Sequence, residues 1–401
     1  MEGKEWNIRH RRDAMWFFRS PQIVFGPESL DYLAEIRATR ALIITDAALV
    51  KLGLVDHVTR KLDAAGVSYH VFAEVTHEPT LELAEKGAEL ARRIKPDLII
   101  GLGGGSAMDT AKMARILYER PDLPVDGISP LEPLNLSKNV KLVAIPTTSG
   151  TGAEAGWVVV LTETKSHRKL VLGSPEGMVD FALVDPVFTM NLPAAISRDT
   201  GLDALTHAVE CFIGAWKNDF TDGLMVKATE LVFQYLPRVC KDPGDAEARE
   251  HMHNAATLAG LGLGNAQAGI CHSMAHALGG TFHLPHGRLI GTCLPYVLEF
   301  IANGEPAHLA SLARYLGLGA SSETEGARAL VKAVKELMDE IGHPSSLARM
   351  GISEEDFVRD FDLVVENALQ DPSSFTSPRI PGTEEMIQLM WCAFRGAPVT
   401  F

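Results

Sequence analysis

The residues whose chemistry is most informative lie between positions 271 and 287, a stretch that contains four histidines. They are His272, His276, His283 and His286. His272 and His276 are four residues apart, so on a helix they lie on the same face. His286 follows a Gly-Gly pair and a proline, which predicts a break that turns the chain back toward that face.

An earlier segment repeats this spacing with a carboxylate in place of one imidazole. Asp203 and His207 are four residues apart within Gly-Leu-Asp-Ala-Leu-Thr-His, residues 201–207. A single pair at this spacing is common in proteins, but two pairs followed by Pro-His-Gly are a stronger signal. Imidazole nitrogens and a carboxylate oxygen are ligands for both Fe(II) and Zn(II). We therefore predict a metal site formed by three imidazoles and one carboxylate.

A run of glycines indicates a second site, for an anion. A pattern typical of a buried strand, residues 97–101, leads into these glycines, and a helical pattern over 107–120 follows them. The turn between them consists of Gly103, Gly104, Gly105 and Ser106. Adjacent glycines let backbone amides approach a phosphate, and a helix N-terminus adds a favourable dipole. A plain tight turn is the alternative, but strand, glycines, serine and helix in this order favour a phosphate cradle.

Both kinds of segment resemble motifs of the iron-containing (group III) alcohol dehydrogenases. The matching segments are residues 101–106, 146–154, 201–210 and 271–279. They are long, they follow the order found in the family, and the resemblance extends roughly from Phe25 to the last predicted helix. It implies a metal, iron or alternatively zinc, with four protein ligands. Those ligands are Asp203, His207, His272 and His286.

The resemblance also implies how the chain binds its cofactor. Thr147 and Thr148 would line the cofactor, and Lys169 would reach its ribose. Asp46, at the end of a predicted strand, matches an aspartate that faces the adenosine ribose in the family. A carboxylate there accepts hydrogen bonds from the 2′-hydroxyl and repels a 2′-phosphate, which favours NAD over NADP; a turn aspartate is the alternative. The Rossmann fingerprint instead has an acid about 20 residues after the glycines, where Asp122 lies in a proline-rich loop.

Histidines outside the four implied ligands have open roles. His276 matches a non-ligand histidine beside the nicotinamide and the substrate, either as a proton relay or as a residue that orients the site. His283 matches no ligand, and we expect it to line the substrate pocket. His251 and His253 are predicted to be surface residues of a helix.

The reaction that the resemblance implies is reversible hydride transfer between a small primary or secondary alcohol and NAD. A metal would act as a Lewis acid on the alcohol or carbonyl oxygen, and the nicotinamide would accept or supply the hydride. No lysine or arginine lies within the matched site motifs, which favours a neutral alcohol or aldehyde over an acid, although Arg288 directly follows Pro-His-Gly.

Three alternatives remain open at this point. One is a related enzyme on the same fold, such as a zinc glycerol dehydrogenase or a lyase resembling dehydroquinate synthase. Another is a His/Asp metal-dependent hydrolase, which would not need Asp46, the glycine turn or the paired threonines. The third is a non-enzymatic binding protein, which would leave the clustered ligand-type residues unexplained.

Composition narrows the class of protein and its location. The 401 residues carry a net charge of −14 and no basic run longer than Arg-His-Arg-Arg at 9–12, which argues against a nucleic-acid partner. Five scattered cysteines without a Cys-x-x-Cys indicate a reduced, cytoplasmic protein. No apolar stretch has the length of a signal core or a membrane span, so we expect no membrane partner. We also expect a homo-oligomer such as a dimer.

The elements that must position these residues change character along the chain. The first half alternates strand and helix patterns, which is typical of a mostly parallel sheet covered on both faces. The predicted strands are residues 41–45, 69–73, 97–101 and 142–145, with a hairpin formed by 157–162 and 169–172. Helical patterns then dominate, at 197–213, 220–236, 246–263, 268–279, 289–302, 325–341 and 384–394. We therefore predict a Rossmann-like α/β dinucleotide-binding domain over 1–192 and an all-α metal-binding domain over 193–401.

Overall fold

The structure, a computed structural model, describes residues 18–76, 79–125, 128, 133–137, 139–164 and 168–401, without the side chains of residues 168 and 169. Its strands are β1 (Gln22–Phe25), β2 (Arg40–Asp46), β3 (Ser68–Val75), β4 (Leu98–Gly103), β5 (Lys141–Pro146), β6 (Val158–Glu163), β7 (Arg168–Gly173) and β8 (Phe181–Val184). The helices of the first half are α1 (Ala47–Lys51), α2 (Val55–Ala64), α3 (Leu81–Ile94) and α4 (Gly105–Glu119). Those of the second half are α5 (Ala194–Ile213), α6 (Asp219–Lys241), α7 (Ala246–Ala266), α8 (Ile270–Phe282), α9 (His286–Gly304), α10 (Pro306–Tyr315), α11 (Glu323–Glu340), α12 (Glu354–Gln370) and α13 (Thr383–Arg395).

In the described part of the chain, six parallel strands form one sheet in the order β1-β8-β5-β4-β2-β3. Strands β6 and β7 form a separate antiparallel hairpin. Residues 41–45 of β2 are fully buried, because helices pack against both faces of the sheet and leave no face for solvent. The predicted fold class, a mostly parallel α/β region followed by a helical region, is confirmed.

The carboxyl ends of β2, β4 and β5 lie side by side. The register pairs Ile44 of β2 with Gly101 of β4, and Gly103 of β4 with Pro146 of β5. The backbone amide of Thr147 donates a hydrogen bond to Gly103 O at 3.0 Å. The ends of three predicted strands, each followed by predicted cofactor residues, are therefore collected at one edge of the sheet.

The second half packs around a single continuous apolar core formed by α5 to α13. It meets the first half where α7 passes the loop after β5. A Cβ atom on Gly260 of α7 would lie 2.2 Å from the backbone oxygen of Gly152, so glycine is required for this approach. Gly152 itself has a φ of 60°, a left-handed conformation that glycine adopts readily. The helical half is thereby held directly against a predicted cofactor loop.

Several elements were not predicted from the sequence, among them β1, β8, α10 and α12. The two strands are only four residues long, and they pair with each other across most of the first half of the chain. Pairing between such distant segments is not visible in local sequence pattern. The predicted domain boundary at 192/193 falls in the connection between β8 and α5 and stays a prediction. No helix in the described ranges combines the length and apolarity that a membrane span requires.

Candidate metal site and cofactor loops

Helix α5 carries Asp203 and His207 one turn apart, and both side chains are buried. The helix is buried almost all round because it lies between α6, α7 and α9. Gly201 permits this packing, since a Cβ there would lie 2.4 Å from Leu236 Cδ1 of α6. The surrounding helices therefore fix the backbone that presents these two side chains.

Helices α8 and α9 carry the other two predicted ligands. His272 lies in the first turn of α8, and His286 is the first residue of α9. Between them His283 ends α8 in a left-handed conformation, with a φ of 52°, and the chain reverses. A Cβ on Gly287 would lie 2.4 Å from a backbone oxygen of α5, so the start of α9 lies directly against that helix. The predicted break and return of the chain are confirmed.

The three predicted histidine ligands converge on one oxygen of the fourth predicted ligand, Asp203 Oδ1. This atom lies 3.8 Å from His207 Nδ1, 3.7 Å from His272 Nε2 and 3.7 Å from His286 Nε2. Ligand atoms of Asp203, His207 and His272 lie within 4.8 Å of one another. The side chain of His286 is 40% exposed, whereas those of the other three are at most 4% exposed. The cluster therefore has one open side, next to His286.

Three of these buried atoms have no hydrogen-bond partner among the described residues. They are Asp203 Oδ1, His207 Nδ1 and His272 Nε2. Buried polar atoms without partners are costly, and their convergence on one point is expected where a cation completes the site. One carboxylate oxygen and three imidazole nitrogens fit Fe(II) or Zn(II).

The ionisable groups of the cluster affect one another strongly. Burial by itself would raise the pKa of Asp203, but interactions with His207 and the neighbouring histidines lower it well below its usual range. Burial lowers the pKa of His207 to about 4. Burial would lower the pKa of His272 as well, yet the carboxylates of Glu210 and Asp203 outweigh this effect and raise it to about 9. The two carboxylates thus make this pocket attractive to positive charge.

His276 lies beside the cluster but outside the group of ligand atoms that Asp203, His207 and His272 form. Its ring stacks on that of His286, with ring centroids 5.2 Å apart, and its Nδ1 lies 2.8 Å from Asp371 Oδ2. Asp371 follows α12 and was missed by the sequence analysis, because nothing near it in the sequence marks it as part of a site. The pairing leaves His276 Nε2 as the nitrogen that is free of Asp371.

Three further histidines that the sequence singled out, His283, His251 and His253, lie in different environments. His283 forms the left-handed end of α8, and its backbone amide donates to Gly279 O at 3.0 Å. His251 is half-buried and stacks on Tyr235 with ring centroids 4.2 Å apart. The prediction that His253 is a surface residue is wrong. It is 1% exposed, because α7 turns it toward the loop after β5, where its Nδ1 lies 3.1 Å from Ser149 Oγ.

The glycine turn lies at the N-terminus of α4. This helix begins at Gly105, two residues before its predicted start, so that Gly105 and Ser106 form its first turn. Gly103 has a φ of 153°, and a Cβ there would lie 2.6 Å from Ala107 Cβ, so only glycine suits this position. Gly104 is the residue before the helix and has no capping side chain. No described side chain therefore caps this end of the helix.

Side chains of two neighbouring loops adjoin this turn. Thr148 Oγ1 lies 3.5 Å from the place that a Cβ of Gly104 would occupy, and Thr147 is buried behind it. Asp46, at the end of β2, accepts a hydrogen bond from Leu49 N at 2.9 Å and so caps α1. Its carboxylate is half-buried and lies at the same sheet edge as the turn. The side chain of Lys169, the last predicted cofactor residue, is outside the described part.

Comparisons with known proteins agree over both halves of the chain. Residues 20–186 match the family model of iron-containing alcohol dehydrogenases, and residues 197–394 match the model of the C-terminal part of that family. An NADPH-dependent butanol dehydrogenase of Clostridium saccharobutylicum is 36% identical over 389 residues, covering 96% of this chain and all of the relative. The chain also matches the aldehyde-alcohol dehydrogenase of Streptococcus pneumoniae and the bifunctional aldehyde-alcohol dehydrogenase of Escherichia coli, but it spans about half, 47%, of the length of each.

Solved structures of iron-containing alcohol dehydrogenases are also similar to this chain. An iron-containing alcohol dehydrogenase from Thermococcus thioreducens superposes with a TM-score of 0.87 at 32% identity, covering 95% of this chain and 100% of that one. Sulfoacetaldehyde reductase from Bifidobacterium kashiwanohense in complex with NAD+ has a TM-score of 0.82 at 26% identity, with coverages of 95% and 99%. Neither comparison favours the hydrolase or the binding protein that the sequence left open.

Proposed function

Since the chain belongs to the iron-containing alcohol dehydrogenase family, we propose that it is a metal-dependent alcohol dehydrogenase and aldehyde reductase linked to NAD(H). The observation that carries this proposal is the convergence of three buried, unpartnered ligand-type atoms beside an exposed histidine. In this proposal Asp203, His207, His272 and His286 hold the metal. Iron is the first expectation, and zinc suits the same ligands.

Two bound groups would supply the chemistry of the reaction. A bound metal would supply Lewis-acid polarisation of the alcohol or carbonyl oxygen, and NAD would supply the nicotinamide that accepts or donates hydride. The side chains of the protein set the geometry around the reacting oxygen. His286 is the exposed ligand, so the substrate would approach from its side of the cluster.

His276 is the group that we propose to move the proton. It stacks on His286, and its Nδ1 is held by Asp371, so its proton is exchanged at Nε2. A histidine whose other nitrogen is fixed by a carboxylate has a defined tautomer and ring orientation. In alcohol oxidation Nε2 would accept the hydroxyl proton, and in aldehyde reduction it would return it.

The charges near the site favour a small neutral substrate. Arg288 is the arginine nearest in sequence to a proposed ligand, and its Nε donates to Asp199 Oδ2 at 2.8 Å. Asp199 Oδ1 also accepts from Arg198 Nε at 3.0 Å. Because Arg288 is already paired with a carboxylate, it is poorly placed to recognise an acidic substrate.

For the cofactor we propose NAD, bound across the edge formed by β2, β4 and β5. The amides of Gly104, Gly105 and Ser106 would receive the pyrophosphate, with Thr147 and Thr148 beside it. Asp46 would accept the ribose hydroxyls through the oxygen atom that does not cap α1. The name of the butanol dehydrogenase relative describes it as NADPH-dependent. The proposed preference of this chain for NAD therefore depends on the Asp46 carboxylate. Lys169 remains a proposed ribose contact.

The cysteines and the net charge bear on the location of the protein and on its partners. The five cysteines are all unpaired in the structure, which supports a reduced, cytoplasmic protein. The net charge of −14 supports the absence of a nucleic-acid partner. We propose a homodimer, which light scattering of the purified protein would test.

The decisive experiment restores metal to stripped protein. Samples loaded with Fe(II), with Zn(II) or with neither are assayed for NADH formation across a panel of small alcohols and one hydroxy acid. We expect turnover only after loading, and faster turnover with neutral alcohols. If no alcohol or aldehyde reacts with NAD or NADP in any loaded sample, the proposed function is wrong.

A further inference from the structure

Glu210 ends one of the segments by which the family is recognised, and residue spacing alone assigns it no role. It lies on α5, two turns beyond Asp203, and is 2% exposed. Its Oε2 lies 2.5 Å from His272 Nδ1 and accepts from Gly269 N at 2.9 Å, while its Oε1 accepts from Cys271 N at 2.7 Å. One carboxylate of α5 therefore binds both a ligand ring and the first amides of α8.

The missing side chain of Gly269 leaves the space that the Glu210 carboxylate occupies. A Cβ on Gly269 would lie 2.7 Å from Glu210 Oε1 and 2.8 Å from Ser377 Oγ. Ser377 Oγ accepts from Ile270 N at 2.9 Å. Two buried acceptors thus satisfy successive amides at the start of α8. Of the two, Glu210 is the one that also contacts a proposed ligand.

We propose that Glu210 is a positioning residue, which locks the two ligand-bearing helices together and holds His272 in its metal-binding form. This inference rests on the proposed metal site. With a metal at the site, the neutral His272 ring would keep its single proton on Nδ1 for Glu210, so that Nε2, which faces Asp203 Oδ1 3.7 Å away, would offer its lone pair. A carboxylate partner of this kind fixes the ring of a metal-binding histidine and increases its basicity.

Charge supports the same role. Glu210 and Asp203 are both 2% exposed, and together they carry two negative charges that would balance a divalent cation. Buried carboxylates are retained only where positive charge or several hydrogen bonds compensate their desolvation. Glu210 has three such hydrogen-bond contacts, two from backbone amides and one from an imidazole.

The competing role for Glu210 is that of a simple cap on α8, and Ser377 provides the matched control. Both residues accept from amides of the same helix end, but in the described residues only Glu210 bonds to His272. The experiment compares Glu210→Gln, Ser377→Ala and unchanged full-length protein. The readouts are the Kd for Zn(II) by chelator competition, the visible spectrum of the Co(II)-loaded protein and the rise in Tm on metal loading.

We expect Glu210→Gln to raise the Kd for Zn(II) roughly 10- to 100-fold, the usual cost of losing the partner of a metal-binding histidine. The new amide group can donate to His272 Nδ1, which shifts the ring proton to Nε2, where it competes with the metal. The Co(II) spectrum should change, and the rise in Tm on loading should shrink. Ser377→Ala should lower the Tm of the metal-free protein and leave the Kd and the spectrum unchanged.

Two results would overturn the inference. One is a Glu210→Gln protein whose Tm falls but whose Kd and Co(II) spectrum match those of the unchanged protein, which would make Glu210 a cap only. The other is an equal loss of metal affinity in Ser377→Ala, which would assign the effect to the helix end as a whole. If Glu210→Gln does not fold, Glu210→Asp keeps the charge on a shorter side chain, and an unchanged Kd in that variant has the same consequence.

A failure of this inference is distinguishable from a failure of the proposed metal site. His272→Ala tests the site itself, because it removes a ligand nitrogen. Loss of metal in His272→Ala together with normal affinity in Glu210→Gln would reject the role of Glu210 and keep the site. Full metal content in His272→Ala would reject both.

Discussion

The proposed metal site and the proposed cofactor loops are constructed in opposite ways. The cluster depends on which side chains are present, because α5, α8 and α9 bring buried imidazoles to one carboxylate oxygen. The glycine turn depends on side chains that are missing, because a Cβ on Gly103 would collide with Ala107 and one on Gly104 would lie at the start of α4. A substitution in the cluster should therefore remove function, whereas one in the loops should change affinity, stability or preference.

The largest effect is expected from His272→Ala, which removes a ligand nitrogen while the rest of α8 still packs. Metal content, measured by elemental analysis, and turnover should fall together. His251→Ala is the matched control, because it removes an imidazole from a helix at a position where the ring stacks on Tyr235 instead of joining the cluster. A His272→Ala protein with full metal content and unchanged activity would remove the basis of the metal site.

His276→Ala should separate proton transfer from metal binding. Since the proposed site already has four ligands, we expect the metal to be retained. Turnover should fall by roughly a hundredfold or more, as is typical when a general acid–base group is lost, and its pH dependence should change. The affinity for NAD should stay the same. Metal loss would make His276 a ligand, and normal turnover with an unaltered pH profile would reduce it to a packing residue.

Two alanine substitutions in the glycine turn test whether its open space serves the fold or the cofactor. Gly103→Ala should destabilise the protein by about 1–3 kcal/mol, because the added Cβ meets Ala107 Cβ at 2.6 Å in a strained backbone conformation. Gly104→Ala has room, with Thr148 Oγ1 at 3.5 Å, so its unfolding free energy should hardly change.

The cofactor affinity distinguishes these two variants further. The Cβ of Gly104→Ala would enter the space proposed for the pyrophosphate, so the Kd for NAD should rise about tenfold, the equivalent of roughly one lost hydrogen bond. Denaturant unfolding and NAD titration measure the two effects. Unchanged NAD affinity in Gly104→Ala would mean that the turn is not a phosphate cradle.

The smallest effect is expected at Asp46, where only the preference between cofactors should move. Asp46→Gly removes the proposed repulsion of a 2′-phosphate, so the ratio of kcat/KM for NAD to that for NADP should fall roughly tenfold or more. Asp46→Asn is the control for capping, because asparagine still caps α1 but carries no charge. If the unchanged protein already prefers NADP, as the butanol dehydrogenase relative does by name, the role given to Asp46 is wrong.

The order of the main elements could be predicted from local pattern. The strand at 41–45 was identified as a continuous buried run and the helix at 246–263 by its helical pattern, and both are present in the structure as β2 and α7. Strands β1 and β8 were missed because each is short and is specified by pairing with a partner that is distant in the sequence. The surface prediction for His253 failed for a related reason, since the side of α7 that is covered depends on the loop after β5.

The sequence alone determined the chemistry that this protein can use. Spacing of four residues places Asp203 and His207 on one face once their segment is helical, and adjacent glycines carry no side chain that could cover the backbone. Only the tertiary structure decided which distant groups complete those sites. Glu210 reaches His272 across two helices, and Asp371 reaches His276 from beyond α12. Such contacts are set by helix packing, which local spacing does not encode, so the partners that orient each histidine became visible only in the folded chain.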